Sequence, residues 1–84
     1  MVAYELIKKL EALPYFKDLL KQGIIPINWV DYKVIYEFYQ NELKRLKADK
    51  WKSNKIARQA KINTSEEFGI SERFVYLIIK KMNA

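Results

Sequence analysis

The chain has 84 residues, enough for one small domain, with a hydrophobic fraction of 50% that argues for a folded core rather than disorder. It has neither cysteine nor histidine, which removes disulfides, the usual zinc ligands and the usual general base, so a non-enzymatic role without a metal or other cofactor is expected. The net charge of +6 is unevenly placed: residues 1–42 hold five Lys against six acids, and residues 43–84 hold eleven Lys and Arg against four. Polyanion binding by the second half is the economical reading of that split.

No apolar run approaches the ~20 residues of a membrane span. The N-terminal stretch MVAYELIKKLEALP is punctuated by charge and does not read as a signal peptide. A cytoplasmic protein is expected.

In chain order, Val2, Ala3, Leu6, Ile7, Leu10 and Leu13 recur at helical spacing and predict a first amphipathic helix that ends near Pro14. A short second helix over Tyr15–Gln22 should bury Phe16, Leu19 and Leu20, with Gly23 as its stop. Residues 24–27, Ile-Ile-Pro-Ile, form an apolar connector expected to be extended and packed. Asn28 is the expected cap of a long helix to about Lys47, or Asp31 a competing start. Val34, Ile35, Phe38, Tyr39, Leu43 and Leu46 share its broad apolar face, and Trp29, Tyr32 and Tyr36 widen it. This central scaffold covers residues 28–48. Trp51 is expected to close the following linker onto the core.

Ser53 or Asn54 should then cap a helix running through Ile56, Ala57 and Ala60 to Phe68, with a break near Ile62 as the competing expectation because Asn63 and Thr64 are poor helix formers. Gly69 supplies the positive φ of a tight turn, Ser71 caps the last helix and Glu72 lies in its first turn. Ser65, Phe68, Gly69, Ile70, Val75 and Ile78 fall where a helix-turn-helix needs a small residue, a core residue, the turn, a core residue and two packing residues. The expected architecture is therefore an all-α bundle of about five helices in a single domain, 1–84, with an N-terminal part over 1–27 and a helix-turn-helix over 53–83.

At 100° per residue, Val75, Ile78, Ile79 and Met82 form the inner face of the last helix, which leaves Ser71, Glu72, Arg73, Tyr76 and Leu77 as the face that would enter a major groove. Arg73 can donate twice to guanine and Glu72 can accept from cytosine, while Tyr76 and Lys80 are placed to reach sugar or phosphate. Leu77 would meet either a thymine methyl or protein, and burial on protein is the expectation. Lys52, Lys55, Arg58, Lys80 and Lys81 are the expected contacts to the DNA backbone. They belong to a wider basic run, Lys44 to Lys61, that contains eight cations and the single acid Asp49.

The run TSEEFGISERFVYLIIKKM resembles the helix-turn-helix of phage and mobile-element proteins, especially Mor-type transcription activators and resolvase or transposase DNA-binding domains. Phe68, Gly69, Ile70, Ser71, Val75, Tyr76, Ile78 and Ile79 carry the likeness, over about a quarter of the chain. Ser65 stands where Ala is usual, and Phe74 where a polar residue is often found. The resemblance implies binding of double-stranded DNA, as a homodimer or within a larger assembly, and a regulatory or accessory role. The competing expectation is a helical adaptor whose basic half meets an acidic protein, supported by Leu77 and the apolar connector.

Overall fold

A computed structural model describes residues 2–84, and among these there are five helices and no strand. They are α1 (Ala3–Glu11), α2 (Phe16–Lys21), α3 (Asn28–Ala48), α4 (Ser53–Phe68) and α5 (Glu72–Met82). None is long and apolar enough to cross a membrane.

Three of the helix ends share one closure. At Gly23, Lys50 and Gly69 the chain takes a positive φ of 72°, 61° and 64°, and the next N–H reaches back to a carbonyl in the final turn. Those bonds are Ile24 to Leu19 at 3.0 Å, Trp51 to Leu46 at 3.2 Å and Ile70 to Ser65 at 3.1 Å. They satisfy carbonyls that a helix end would otherwise leave without partners. Glycine adopts this conformation without strain, whereas Lys50 does so against a cost of about 1 kcal/mol. The closures turn the chain sharply enough for α4 to return along α3 and for α5 to cross both.

Helix α3 is the scaffold. Ile35 and Tyr36 join Ile7 of α1 and Ile78 and Met82 of α5 in one buried cluster; Tyr39 and Leu46 join Ala60 of α4 in a second. Ile79 packs against both clusters and so ties α5 to the whole bundle. Ala60 and Thr64 are fully buried, and the Thr64 hydroxyl donates to the Ala60 carbonyl at 2.7 Å, which satisfies it inside the helix. That bond, and the Asn63 amide donating to Glu42 across to α3 at 3.0 Å, let α4 continue through the poor helix formers without a break.

Helix α1 lies antiparallel on α3. Tyr4 donates to Glu37 at 3.0 Å and packs at a tilt of 51° against Tyr36 with ring centres 4.9 Å apart, while Lys33 pairs with Glu11 further along. The Glu11 contact holds the Lys33 ammonium above its usual range, and burial raises the Tyr4 phenol first, Glu37 second.

Several expectations are corrected. Neither Asn28 nor Ser53 is a cap: Ile27 and Lys52 precede α3 and α4, without a side-chain cap bond at either. The Trp29 and Val30 N–H groups already bond to the Pro26 and Ile27 carbonyls, so Asn28 lies inside the first turn. In the connector only Ile25 is buried; Ile24 and Ile27 are 68% and 73% exposed. Phe16, Leu19 and Leu20 are half-buried rather than buried, because no other helix packs closely along α2. Val34, Leu6 and Trp51 also remain substantially exposed, Val34 at the rim of a cavity that it lines with Phe68 and Ile70.

Candidate nucleic-acid interface

The turn between α4 and α5 is held by one side chain. The Ser65 carbonyl accepts from both the Gly69 and Ile70 N–H groups, and its hydroxyl donates to the Ile70 carbonyl at 2.5 Å. Ser65 is therefore more than the small residue that the spacing required. Two residues later the Ser71 hydroxyl accepts from the Phe74 N–H at 3.1 Å, capping α5 as expected. The far end of α5 is also fixed, since Tyr36 donates to the Asn83 side chain at 2.7 Å and the Ala3 N–H donates to the Ala84 carbonyl at 2.9 Å.

Val75, Ile78 and Met82 are buried and Ile79 is half-buried, so the inner face of α5 is the expected one. The opposite face carries Glu72, Tyr76, Lys80, Arg73 and Leu77 in that angular order, spread over about 140°. All five are exposed. Leu77 is 49% exposed, so the N-terminal helices of its own chain do not bury it. Ser71 stands at the same end, with its oxygen engaged in the cap.

Two lysines bracket this face. Lys61 of α4 places its ammonium 5.8 Å from the Tyr76 ring centre, and Lys81 lies 5.5 Å from that of Tyr32 on α3. Each ring attracts the cation and limits its wandering. Neither pairing was foreseen, because each joins different helices and only the crossing of α5 over α3 and α4 brings the partners together. Phe74 packs edge-on against Tyr32 with centres 6.0 Å apart, which accounts for an aromatic residue at that position. Tyr32, Phe74, Leu77, Ile78 and Lys81 line a shallow cavity of about 180 Å³ beside the exposed face.

On α4, Asn54, Arg58, Lys61 and Ser65 fall within about 60° of one another. The contacts of Lys61 and Ser65 show that this stripe flanks α5. Lys55 stands about 60° further round from Arg58, and Lys52 immediately precedes the helix; both are exposed. The expected backbone-contacting residues are thus divided between α5, the flanking stripe and the start of α4.

Arg45 leaves the group. Its guanidinium contacts Glu42 at 2.6 Å and Asp49 at 3.4 Å, and Glu42 in turn accepts from Asn63. The hydrogen bond to Glu42 raises the already high Arg45 value, and the same bond, followed by that from Asn63, lowers the Glu42 carboxyl. Glu66 and Glu67 gather with Glu42 and Arg45 around a cavity of about 340 Å³, more than 100° around α4 from Lys61. The acids of this region are therefore collected away from α5.

What remains beside α5 is a strong imbalance. From Lys52 to the end of α5 the chain holds seven cations, Lys52, Lys55, Arg58, Lys61, Arg73, Lys80 and Lys81, against three acids, of which Glu72 is on α5 while Glu66 and Glu67 stand on another side of α4. The ion-paired cations among the described residues are Lys33 and Arg45, neither of them in this set. Comparison with protein-family models, characterised proteins and solved structures finds no match to this chain. The likeness noted for the C-terminal stretch therefore rests on its own residues. Among the described residues no three His, Cys, Asp or Glu side chains converge as a metal-binding group.

Proposed function

We propose that this is a small non-enzymatic protein that binds double-stranded DNA, with α4, the Gly69 turn and α5 as a helix-turn-helix. The observation that carries this reading is the set of cations without acidic partners, Arg73, Lys80 and Lys81 of α5 with Lys61 and Arg58 on the flanking stripe of α4, around the exposed face of one anchored helix. Such cations neutralise phosphates and release condensed counterions, which drives binding without regard to sequence. The geometry supports α5 in the major groove, entering with its N-terminal turn. Arg73 then reads guanine, Glu72 accepts from cytosine, and Leu77, left uncovered by its own chain, meets a thymine methyl. Tyr76 reaches sugar or phosphate, as do the flanking lysines. A role as a regulator or mobile-element accessory factor, as the sequence resemblance implies, follows from this activity.

Retention on immobilised duplex is the direct test. Reversing charge with Arg73→Glu and Lys80→Glu should abolish retention near physiological salt and leave the helical circular dichroism unchanged, since both side chains are exposed and unpaired. Unaltered retention would remove α5 as the binding face. A protein-binding adaptor is the second reading, favoured by the apolar cavity at Tyr32, Phe74 and Leu77. It prevails if the protein shows no salt-sensitive binding to duplexes and Leu77→Glu, rather than the charge reversal, releases a co-purifying protein.

A further inference from the structure

The end of the molecule farthest from the α3–α4 turn is apolar and uncovered. Because α1 runs antiparallel to α3, α2 and the connector lie beyond the start of α3, with the length of that 21-residue helix, about 31 Å, between them and the Lys50 turn. The domain is elongated as a result, 44 × 22 × 19 Å, with a radius of gyration of 14.4 Å; a compact chain of this length would have about 12 Å. At this end Tyr15, Ile24 and Ile27 are 53%, 68% and 73% exposed, and Phe16, Leu19 and Leu20 are half-buried.

A six-residue helix has little stability of its own and depends on packing. Within its chain α2 buries no residue. We infer that this end is the contact between two copies of the chain.

Charge selects the occupant. Two copies meeting through the α4–α5 side would set seven cations against seven. The α2 end bears Lys17, Asp18 and Lys21 within an N-terminal half, residues 1–42, that holds five Lys against six acids, so a two-fold pairing meets little repulsion and can set Asp18 of one copy near a lysine of the other. Area is also sufficient. Taking ~200 Å² for a fully exposed large side chain, the six apolar residues offer about 500 Å² per copy, or ~1,000 Å² in the pair, the lower bound for specific association. The pair is therefore weak and concentration-dependent, and it leaves both α5 faces free. This inference does not require the DNA reading.

Sedimentation equilibrium of the full chain up to ~100 µM, where a micromolar association would be populated, is the test. The mass should rise from 10.1 kDa toward twice that value, with little change between low and moderate salt. The double substitution Ile24→Glu and Ile27→Glu should hold the protein monomeric with unaltered circular dichroism, since both side chains project into solvent. Arg73→Glu with Lys80→Glu should leave the mass unchanged, which separates this interface from duplex binding. A chain that stays monomeric throughout, a dimer that survives the Ile24/Ile27 change, or one dissolved by Leu77→Glu instead would overturn the inference.

Discussion

Neutralising Arg73 and Lys80 together, as alanines, should flatten the salt dependence of duplex binding by an amount that the structure fixes. Each phosphate contact contributes a slope of about −0.9 to log K against log salt. The seven unpaired cations from Lys52 to Lys81 set an upper slope of about −6, so a rise from about 50 to 200 mM salt weakens binding by roughly 6,000-fold if all engage. With two removed the slope falls to about −4.5 and the loss to roughly 500-fold. Fluorescence anisotropy with a labelled duplex of random sequence, repeated across that salt range, measures both values. Arg45→Ala is the control: its guanidinium is already bonded to Glu42 and Asp49, so its removal should leave the slope unchanged. If the Arg73/Lys80 variant keeps the parental slope, or if Arg45→Ala lowers it as much, the unpaired cations around α5 are not the contacts and the assignment of the face fails.

The helix closures give a paired prediction. Gly69→Ala should lower the midpoint of thermal unfolding by roughly 5 °C, from about 1 kcal/mol of left-handed strain, because a Cβ there meets open space and the cost is conformational. Lys50→Gly relieves the same strain and should raise it by a few degrees. Ser65→Ala keeps the small volume but removes the bond to the Ile70 carbonyl, at about 1 kcal/mol, visible as a lower urea midpoint. Leu46→Ala should be far more damaging, ~3 kcal/mol by urea denaturation, since Leu46 is 1% exposed between α3 and α4. Glu42 supplies a pH test: its carboxyl is held below the usual glutamate range by Arg45 and then Asn63. Its stabilisation is therefore present above the unfolded glutamate value and is lost as pH falls through the lower folded one. Urea midpoints at about pH 7 and pH 3 should differ less in Glu42→Gln than in the parent, and an equal difference would show that the carboxylate contributes nothing.

What could be read from the residues alone was whatever depends on neighbours along one helix or across one turn. Gly69, the Ser71 cap and the inner face of α5 are of this kind, as is the continuous apolar pattern that made α3 a scaffold. The face that α5 leaves outside followed by elimination. Apolar spacing says which side of a helix prefers cover, but not whether another element is there to supply it in full, and so Val34, Ile24 and Ile27 are exposed and the α2 residues only half-buried where burial is the expectation. Leu77 shows the same limit. Arg45 is a different case: Glu42 and Asp49 stand three and four residues away on the same helical side, a spacing that already signals pairing, yet a tally of cations passes over it. The Lys61–Tyr76 and Lys81–Tyr32 contacts lay beyond reach, since each needs the angle at which α5 crosses its neighbours. The closure at Lys50 was hidden because the αL position was filled by a residue that seldom adopts it.

Because α5 is fastened through Ser65 and Ser71 at its start and through Asn83 at its finish, none of its outward side chains carries a hydrogen bond or ion pair that the fold requires. Glu72, Arg73, Lys80 and Leu77 can therefore be exchanged for other residues at a stability change within about 0.5 kcal/mol. The bundle acts as a fixed mount with an interchangeable outer surface, so that variants could diverge in what they recognise while the architecture beneath stays the same.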